Sequence, residues 1–372
     1  MNTKLKILFL TNIPAPYRVD FFNELGKYCN LTVVFEGDKA LDRDDKWKVS
    51  ESCNFTAIHL KGLRIDNDKF FSFKIIDILN KKWDIIIIGG YSTPTSILAI
   101  EYLRVKRKKF IIEADGGFIS DDSWIKYKLK KHLISAASWW FSSGYETTKY
   151  LVYYGAIKDK CYWFPFSSLT ENDIKKAIFL RKYNRSKIKQ KLNIHENQVI
   201  LSVGRFIKSK GFDILIKAVR NIKKDVGVYI VGGKPTKEYQ ELKEIYGLNN
   251  LKFIDFQSKD DIVYYYAVAD VFVLPTRNDV WGLVINEAMS FALPVITTDK
   301  CIAGLELVDD ENGRIIPVND IKCLSIAINS ILNSNNIEEM GKKSLDRIRK
   351  YTIENMAYIH YEILTKINSG GV

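Results

Sequence analysis

The chain alternates between two apolar patterns. Short runs in which nearly every position is apolar, "KILFLT" (6–11), "LTVVFE" (31–36), "DIIIIGG" (84–90), "KKFIIEA" (108–114) and "WWFSS" (139–143), predict strands buried on both faces. Between them lie segments with helical spacing. In "YRVDFFNELGKY" (17–28), Val19, Phe22 and Leu25 share one stripe, and "TSILAIEYLRVK" (95–106) reads as a second helix. A charged, poorly periodic stretch follows at 171–191. The strand grammar then resumes with "QVILSVGRF" (198–206), "VGVYIVGG" (226–233), "LKFIDF" (251–256), "DVFVLPT" (270–276) and "PVITTD" (294–299). The helical segments "FDILIKAVRNI" (212–222) and "IVYYYAVA" (262–269) fall between these strands.

This alternation is the signature of parallel α/β layers, given twice. A chain of 372 residues also suits two domains better than one core. The pattern predicts two Rossmann-like, doubly wound domains facing each other across a cleft, with ligands at strand carboxyl ends. The N-terminal domain is expected over 1–168, a connection over 169–196 and the second domain over 197–350. A terminal helix within 351–372, "IENMAYIHYEILTKI", is long enough to pack back across the boundary.

Composition narrows the class. Hydrophobic content of 47% with 27% charged residues describes a soluble globular chain. Five cysteines (Cys29, Cys53, Cys161, Cys301, Cys323) are scattered, with no CxxC pair, so neither a disulfide framework nor a zinc site is indicated. The apolar run Ile7–Leu10 is too short for a signal-peptide core, and no stretch approaches the ~18 apolar residues of a membrane span. A cytoplasmic location is expected.

Net charge is +12, and much of the surplus sits in "EYLRVKRKKF" (101–110) and "WIKYKLKKHL" (124–133). The second segment reads as a basic amphipathic helix with aromatics beside it. Two readings stand: a surface for anionic lipid headgroups or a lipid-linked diphosphate, or a solvated face of a lysine-rich protein. Nucleic acid is not an expected partner, because the charge comes without a recognition module.

Two strand–loop–helix segments of the second half carry candidate chemistry. In "LSVGRFIKSKGFDIL" (201–215) the strand ends at Val203 and Gly204, Arg205 and Lys210 flank a turn, and Gly211 opens a helix. The segment lacks the ending of a P-loop, yet a glycine turn with two cations makes an anion site. In "NDVWGLVINEAM" (278–289) Gly282 starts a helix. The N–H groups of Gly282, Leu283 and Val284 are then first-turn donors available to an anion. Asp279 precedes that helix and Glu287 lies about one turn into it. In isolation these two acids read equally well as a helix cap and a surface residue.

The two segments in this order resemble the donor half of a GT-B glycosyltransferase, and more narrowly family 4, the retaining enzymes with an E-x7-E motif. The likeness extends to "TNIPAPYRVDFFNELGK" (11–27) and to "FIIEADGGF" (110–118) through "FSSGYETTKYLVYYGA" (141–156), which are similar to bacterial polysaccharide glycosyltransferases. The resemblance implies that Arg205 and Lys210 bind the donor diphosphate beside Gly204. It implies that Glu287 takes the nucleotide ribose, and that Gly282, Leu283 and Val284 cover sugar and phosphate. Asp279 stands where the first glutamate of the motif is expected, one methylene shorter.

Pro14 and Ala15 replace the glycines common in the first loop, while Arg18 keeps the arginine. That loop, with Pro16, Tyr17 and Arg18, is therefore expected to shape the acceptor site. Where many relatives have a histidine, this chain has Asp115. It stands either against donor sugar or acceptor hydroxyl, as does Glu113, or as a strand-end carboxylate in a turn with Gly116 and Gly117. His59, His132, His195 and His360 lie elsewhere in the sequence.

The implied activity is retaining transfer of a hexose or N-acetylhexosamine from a nucleotide sugar, with UDP the first choice. The implied acceptor is a glycan or polyprenyl-diphosphate-linked saccharide of bacterial surface polysaccharide synthesis. No cofactor is implied, the nucleotide sugar being a substrate, and no metal. The Asp-x-Asp patterns in "DRDD" (42–45) and "DND" (66–68) sit in polar stretches and read as solvated loops. Two rival readings are a nucleotide-sugar epimerase of the same fold and a non-catalytic carbohydrate binder. The absence of histidines from the cleft motifs speaks against the first, and the basic pair speaks against the second.

Overall fold

In the computed structural model the described residues are 4–38, 51, 53–66 and 69–371. They divide into two compact units, Met1–Ser167 with Thr352–Val372, and Ser168–Tyr351. The "DRDD" stretch lies outside the described residues, as do Asn67 and Asp68 of "DND"; Asp66 is paired with Lys69 at 3.2 Å.

In the first unit the strands are β1 (Lys6–Thr11), β2 (Asn30–Phe35), β3 (Thr56–His59), β4 (Leu63–Arg64), β5 (Phe70–Phe71), β6 (Ile85–Ile88), β7 (Ile111–Ala114), β8 (Trp139–Ser142) and β9 (Cys161–Trp163). Seven of them form one sheet in the order β3-β2-β1-β6-β7-β8-β9, and each neighbouring pair is parallel. The short β4–β5 ribbon is antiparallel and separate. Successive side chains of a strand point to opposite faces, so a strand buried at every position is covered on both sides. The four isoleucines of β6 are buried in this way.

The chain leaves β1 for β2 on one side, while β6 occupies the other. The loops after β1 and β6 therefore flank a topological switch point, where open α/β sheets place ligands. The helix Pro16–Leu25 follows β1, with Pro16 pre-set for a first helical position. The terminal helix Ile353–Asn368 belongs to this unit and packs on Pro16–Leu25, burying Met356, Ala357, His360 and Leu364.

The second unit contains β10 (Gln198–Val203), β11 (Val226–Val231), β12 (Leu251–Ile254), β13 (Val271–Leu274), β14 (Val295–Thr298) and β15 (Gly313–Ile316). Their order is β12-β11-β10-β13-β14-β15, again parallel throughout, with the switch point between β10 and β13.

The stretch expected as a connection differs from that expectation. Glu171–Lys191 is one 21-residue helix inside the second unit, opened by a capping box between Thr170 and Asp173. Its apolar stripe is thin, with Ile174, Ala177 and Ile188 buried, and arginines supply the rest of the anchorage. Arg181 Nη1 donates to Ala269 O at 2.7 Å, and Arg185 Nη2 donates to Val268 O at 3.1 Å and Asp270 Oδ1 at 2.6 Å. These bonds satisfy carbonyls left over at the end of the helix Lys259–Val268. A helix held by cations carries little hydrophobic periodicity, which is why the stretch reads as irregular.

Candidate functional site

The two candidate segments of the second unit end β10 and β13, the strands that flank the switch point. Their loops are stitched together. Thr276 Oγ1 and the Arg277 amide both donate to Ser209 O, at 2.8 and 2.6 Å. Arg277 Nη1 donates to Lys208 O at 2.7 Å, and the guanidinium grips both oxygens of Asp213 at 2.8 and 2.7 Å. Burial would raise the Asp213 carboxyl, yet Arg277 holds it below its ordinary value. Gly211 sits where the loops touch: a Cβ there would lie 2.0 Å from Pro275 O, and its φ of 68° is left-handed. Arg277 and Asp213 were missed as functional candidates, although "RND" supplied the signal of a cation between strand and helix.

This stitching sets Lys210 against Asp279. Nζ lies 2.5 Å from Oδ2, with side chains 19% and 16% exposed. Asp279 is fixed in turn, because its N–H donates to Lys300 O at 2.8 Å and its carbonyl accepts from Ile302 N at 3.3 Å. Arg205 is exposed at the start of the first loop. Two residues predicted for different parts of one ligand, Lys210 and Asp279, are thus brought into contact with each other.

Beyond Asp279 the chain turns through Gly282, whose φ is 100°, and enters the helix Leu283–Ser290. A Cβ at Gly282 would lie 2.7 Å from Cys301 Sγ, so this close turn requires glycine. The first-turn amides of Leu283 and Val284 have no intrahelical acceptor, leaving donors at a positive helix end. Glu287 lies one turn in, half-buried, and accepts from Tyr266 Oη at 2.8 Å. Burial raises its carboxyl above the ordinary value, while Tyr266 pulls the other way. The two acids thus have separate partners: Asp279 a cation, Glu287 a phenol.

In the first unit a cavity of about 160 Å³ opens at the other switch point, lined by Thr11, Asn12, Tyr17 and Arg18 after β1, Gly89, Gly90, Ser92, Thr93 and Ser96 after β6, and Asp115 after β7. Its floor is polar. Glu36, fully buried after β2, accepts from Thr93 Oγ1 at 2.7 Å and Ser96 Oγ at 2.8 Å. The sequence reading passed over Glu36, although an acid closing the apolar run "LTVVFE" was the available signal. Tyr17 stacks edge-on against Phe166 at 5.7 Å, and Pro16 begins the helix.

Arg18 differs from its expected availability to an acceptor. Its guanidinium is buried and held by two carboxylates, Nη1 on Glu113 Oε1 and Nη2 on Asp115 Oδ1, each at 2.5 Å. Burial pushes the Glu113 carboxyl up, but Arg18 and His360 together hold it down at about 2. Asp115 moves the opposite way: burial and the neighbouring Glu113 raise it, against the pull of Arg18. The histidines, set aside from the sequence, return here through His360, whose Nε2 lies 3.0 Å from Glu113 Oε2.

Residues 184–354 match the family profile described as glycosyl transferases group 1. The chain is 31% identical over 181 residues to a glycosyltransferase of Haemophilus influenzae, covering 45% of this chain and 49% of the relative. It is 28% identical over 174 residues, 46% of each chain, to the capsular polysaccharide biosynthesis glycosyltransferase CapM of Staphylococcus aureus. The chain thus spans about half the length of the curated relatives it matches. Among solved structures, Anabaena HepE in complex with UDP and glucose superposes with a TM-score of 0.75 over 98% of this chain and all of that one, at 18% identity. That likeness is one of fold, and the fold is GT-B.

Proposed function

Taking the chain as a group 1 glycosyl transferase over residues 184–354, with the GT-B fold, we propose that it transfers a sugar from a nucleotide sugar to a saccharide acceptor in glycan synthesis. The observation that carries this reading is the Lys210–Asp279 pair at a switch point, beside a helix start opened by Gly282. A cation poised by an acid, with helix amides next to it, suits a sugar diphosphate. Phosphate oxygens would draw on Lys210, Arg205 and the amides, and sugar hydroxyls on Asp279. Glu287 with Tyr266 presents a hydrogen-bonding edge for ribose hydroxyls. A neighbour of the same fold was solved with UDP, which supports UDP as the donor nucleotide.

In the reaction the anomeric carbon–phosphate oxygen bond breaks and the acceptor oxygen takes the carbon. Charge grows on the departing diphosphate, where Arg205 and Lys210 stabilise it, work done by metals in other sites. Retention would follow from attack on the same face, with a donor phosphate oxygen receiving the acceptor proton. The polar cavity of the first unit, with hydroxyls, Asn12 and Asp115 on its walls, fits sugar hydroxyls of the acceptor.

A polyprenyl-diphosphate-linked saccharide suits the acceptor role, because the helix Trp124–Ile134 turns apolar and basic side chains outward. Trp124, Ile125 and Leu129 are 72%, 73% and 51% exposed among its lysines, a composition that fits an anionic membrane surface. Among the described residues no helix is long and apolar enough to cross a membrane.

The test is thermal-shift screening with UDP, GDP and their sugars, followed by turnover of any binder with and without saccharide acceptors. Stabilisation by one nucleotide sugar and its consumption on acceptor addition supports the reading. Conversion of a UDP-sugar alone into its epimer overturns it, as does binding with neither transfer nor hydrolysis.

A further inference from the structure

Among the described residues of the terminal helix, His360 is fully buried in the first unit, its ring packed by Phe21, Phe141 and Phe164 at centroid distances of 4.8, 5.1 and 4.6 Å. An apolar side chain would satisfy such a pocket at lower desolvation cost. The polar ring instead heads a row of charged groups. His360 Nδ1 is 2.8 Å from the carbonyl of Met356, which can only accept, so Nδ1 carries hydrogen. Nε2 faces Glu113 Oε2 at 3.0 Å; Glu113 Oε1 takes Arg18 Nη1, and Arg18 Nη2 takes Asp115 Oδ1. The row thus runs unbroken from the terminal helix to the cavity through His360, Glu113, Arg18 and Asp115. Asp115 ends it, with its side chain 27% exposed on the cavity wall.

We propose that His360 is a positioning residue for transfer: its Nε2 contact holds Glu113 in place, which keeps Arg18 between Glu113 and Asp115 and aims Asp115 at the ligand in the cavity. The inference rests on the transferase reading, and it deepens that reading by assigning the last helix a part in the acceptor site. Replacing a buried ionic row by apolar residues is often neutral or stabilising, so fold stability alone does not account for this one. A carboxylate aimed by a fixed guanidinium, by contrast, gains the angular precision that orienting an acceptor hydroxyl demands. His360 touches no ligand in this scheme. It acts through Glu113 and Arg18.

Two measurements on the full chain test the proposal. With ¹⁵N-histidine labelling the chain gives only four imidazoles to resolve. One of them is expected with both ring nitrogens hydrogen-bonded, to vanish in His360→Phe and to shift at Nε2 in Glu113→Gln. A wild-type Nε2 without a hydrogen bond, or one indifferent to Glu113→Gln, overturns the proposal. The kinetic arm compares His360→Gln, whose amide N–H can still reach Glu113, with His360→Phe. His360→Gln is expected to retain turnover within about threefold. His360→Phe is expected to lose about tenfold or more in kcat with KM for the nucleotide sugar unchanged. Losses that simply follow Tm in both variants, or full kcat in His360→Phe, overturn it as well. A wild type inactive with every nucleotide sugar defeats the transferase reading instead, and the spectra still decide the bond between His360 and Glu113.

Discussion

Lys210 Nζ and Asp279 Oδ2 stand 2.5 Å apart, a cation from the loop after β10 closed on an acid from the loop after β13. On the proposed reading, a diphosphate arriving there would compete with Asp279 for the ammonium. The pair therefore places the cation and also screens it while no anion is present.

The two halves of the pair should separate experimentally. Lys210→Ala removes charge stabilisation of the departing diphosphate and is expected to lower kcat about 10²-fold. Asp279→Asn releases Lys210, so affinity for UDP alone should rise severalfold, while turnover of the nucleotide sugar falls because the sugar loses its carboxylate. Calorimetric titration with UDP beside steady-state kinetics checks both. Equal weakening of UDP by the two substitutions would show that the pair serves the fold and not the ligand.

Arg277 holds this arrangement from behind, reaching Lys208 O, Asp213 and, through Nε, Asn319 Oδ1 at 2.7 Å. Arg277→Lys keeps the charge but loses the fork that grips both Asp213 oxygens. The expected cost is about 2 kcal/mol in chemical denaturation, from charge-assisted bonds lost and Asp213 left half paired. Turnover should fall with it because Lys210 loses its fixed loop. Wild-type kinetics in a destabilised Arg277→Lys protein would disconnect the loop from the reaction.

The legible and illegible parts of this molecule follow from the range of the interactions involved. Ile85–Ile88 and Val271–Leu274 read as strands because parallel sheets bury both faces, so four consecutive apolar residues carry the information locally. The cations of the loop after β10, and Gly282 before its helix, were visible for the same reason: turn chemistry is written in neighbouring residues. The Glu171–Lys191 helix was hidden because Arg181 and Arg185 act through carbonyls at Val268 and Ala269, which no periodicity reports. The role of Arg18 was hidden too. Its carboxylate partners lie 95 and 97 positions away, and His360 is 247 positions from Glu113. Only the folded sheet brings those groups together.

The carboxylates of that row give the stability a pH signature. Against the push of burial, Arg18 and His360 hold Glu113 at about 2, below its ordinary 4.5. A group depressed in the folded state contributes stability that is complete above its unfolded value and is lost as pH falls through the folded one. The loss attributable to Glu113 thus falls between about pH 4.5 and pH 2 and is of order 3 kcal/mol. Asp115 is raised, so the folded chain takes up its proton more readily and offsets part of the loss. Glu113→Gln should be less stable than wild type at pH 7, by about 3 kcal/mol for an Arg18 left with Asp115 as its one carboxylate, and should show a flatter profile below pH 4.5. Denaturation midpoints at pH 7 and pH 3 test this, and parallel profiles for the two proteins would contradict it.

The outward face of the Trp124–Ile134 helix makes a last, separable claim. Asp122 binds Lys126 and Lys130 at 2.8 and 2.7 Å and accepts from Tyr154 Oη, while Leu133 and Ile134 are buried, which anchors the helix and leaves the opposite side outward. Lys128 sits over the Trp124 ring at 5.6 Å, so the indole and a cation are presented together. If this face meets anionic lipid, Trp124→Glu with Ile125→Glu should abolish flotation with phosphatidylglycerol vesicles. Binding to neutral vesicles should be weak from the start, and added salt should weaken the anionic case. Because these side chains are exposed, the double substitution is expected to change stability by less than about 1 kcal/mol and to leave transfer to a soluble saccharide intact. Transfer to a lipid-linked acceptor in vesicles should fall by about tenfold or more, since the enzyme no longer concentrates at the surface. Unaltered flotation in the double variant would assign the lysine-rich face to solvent alone.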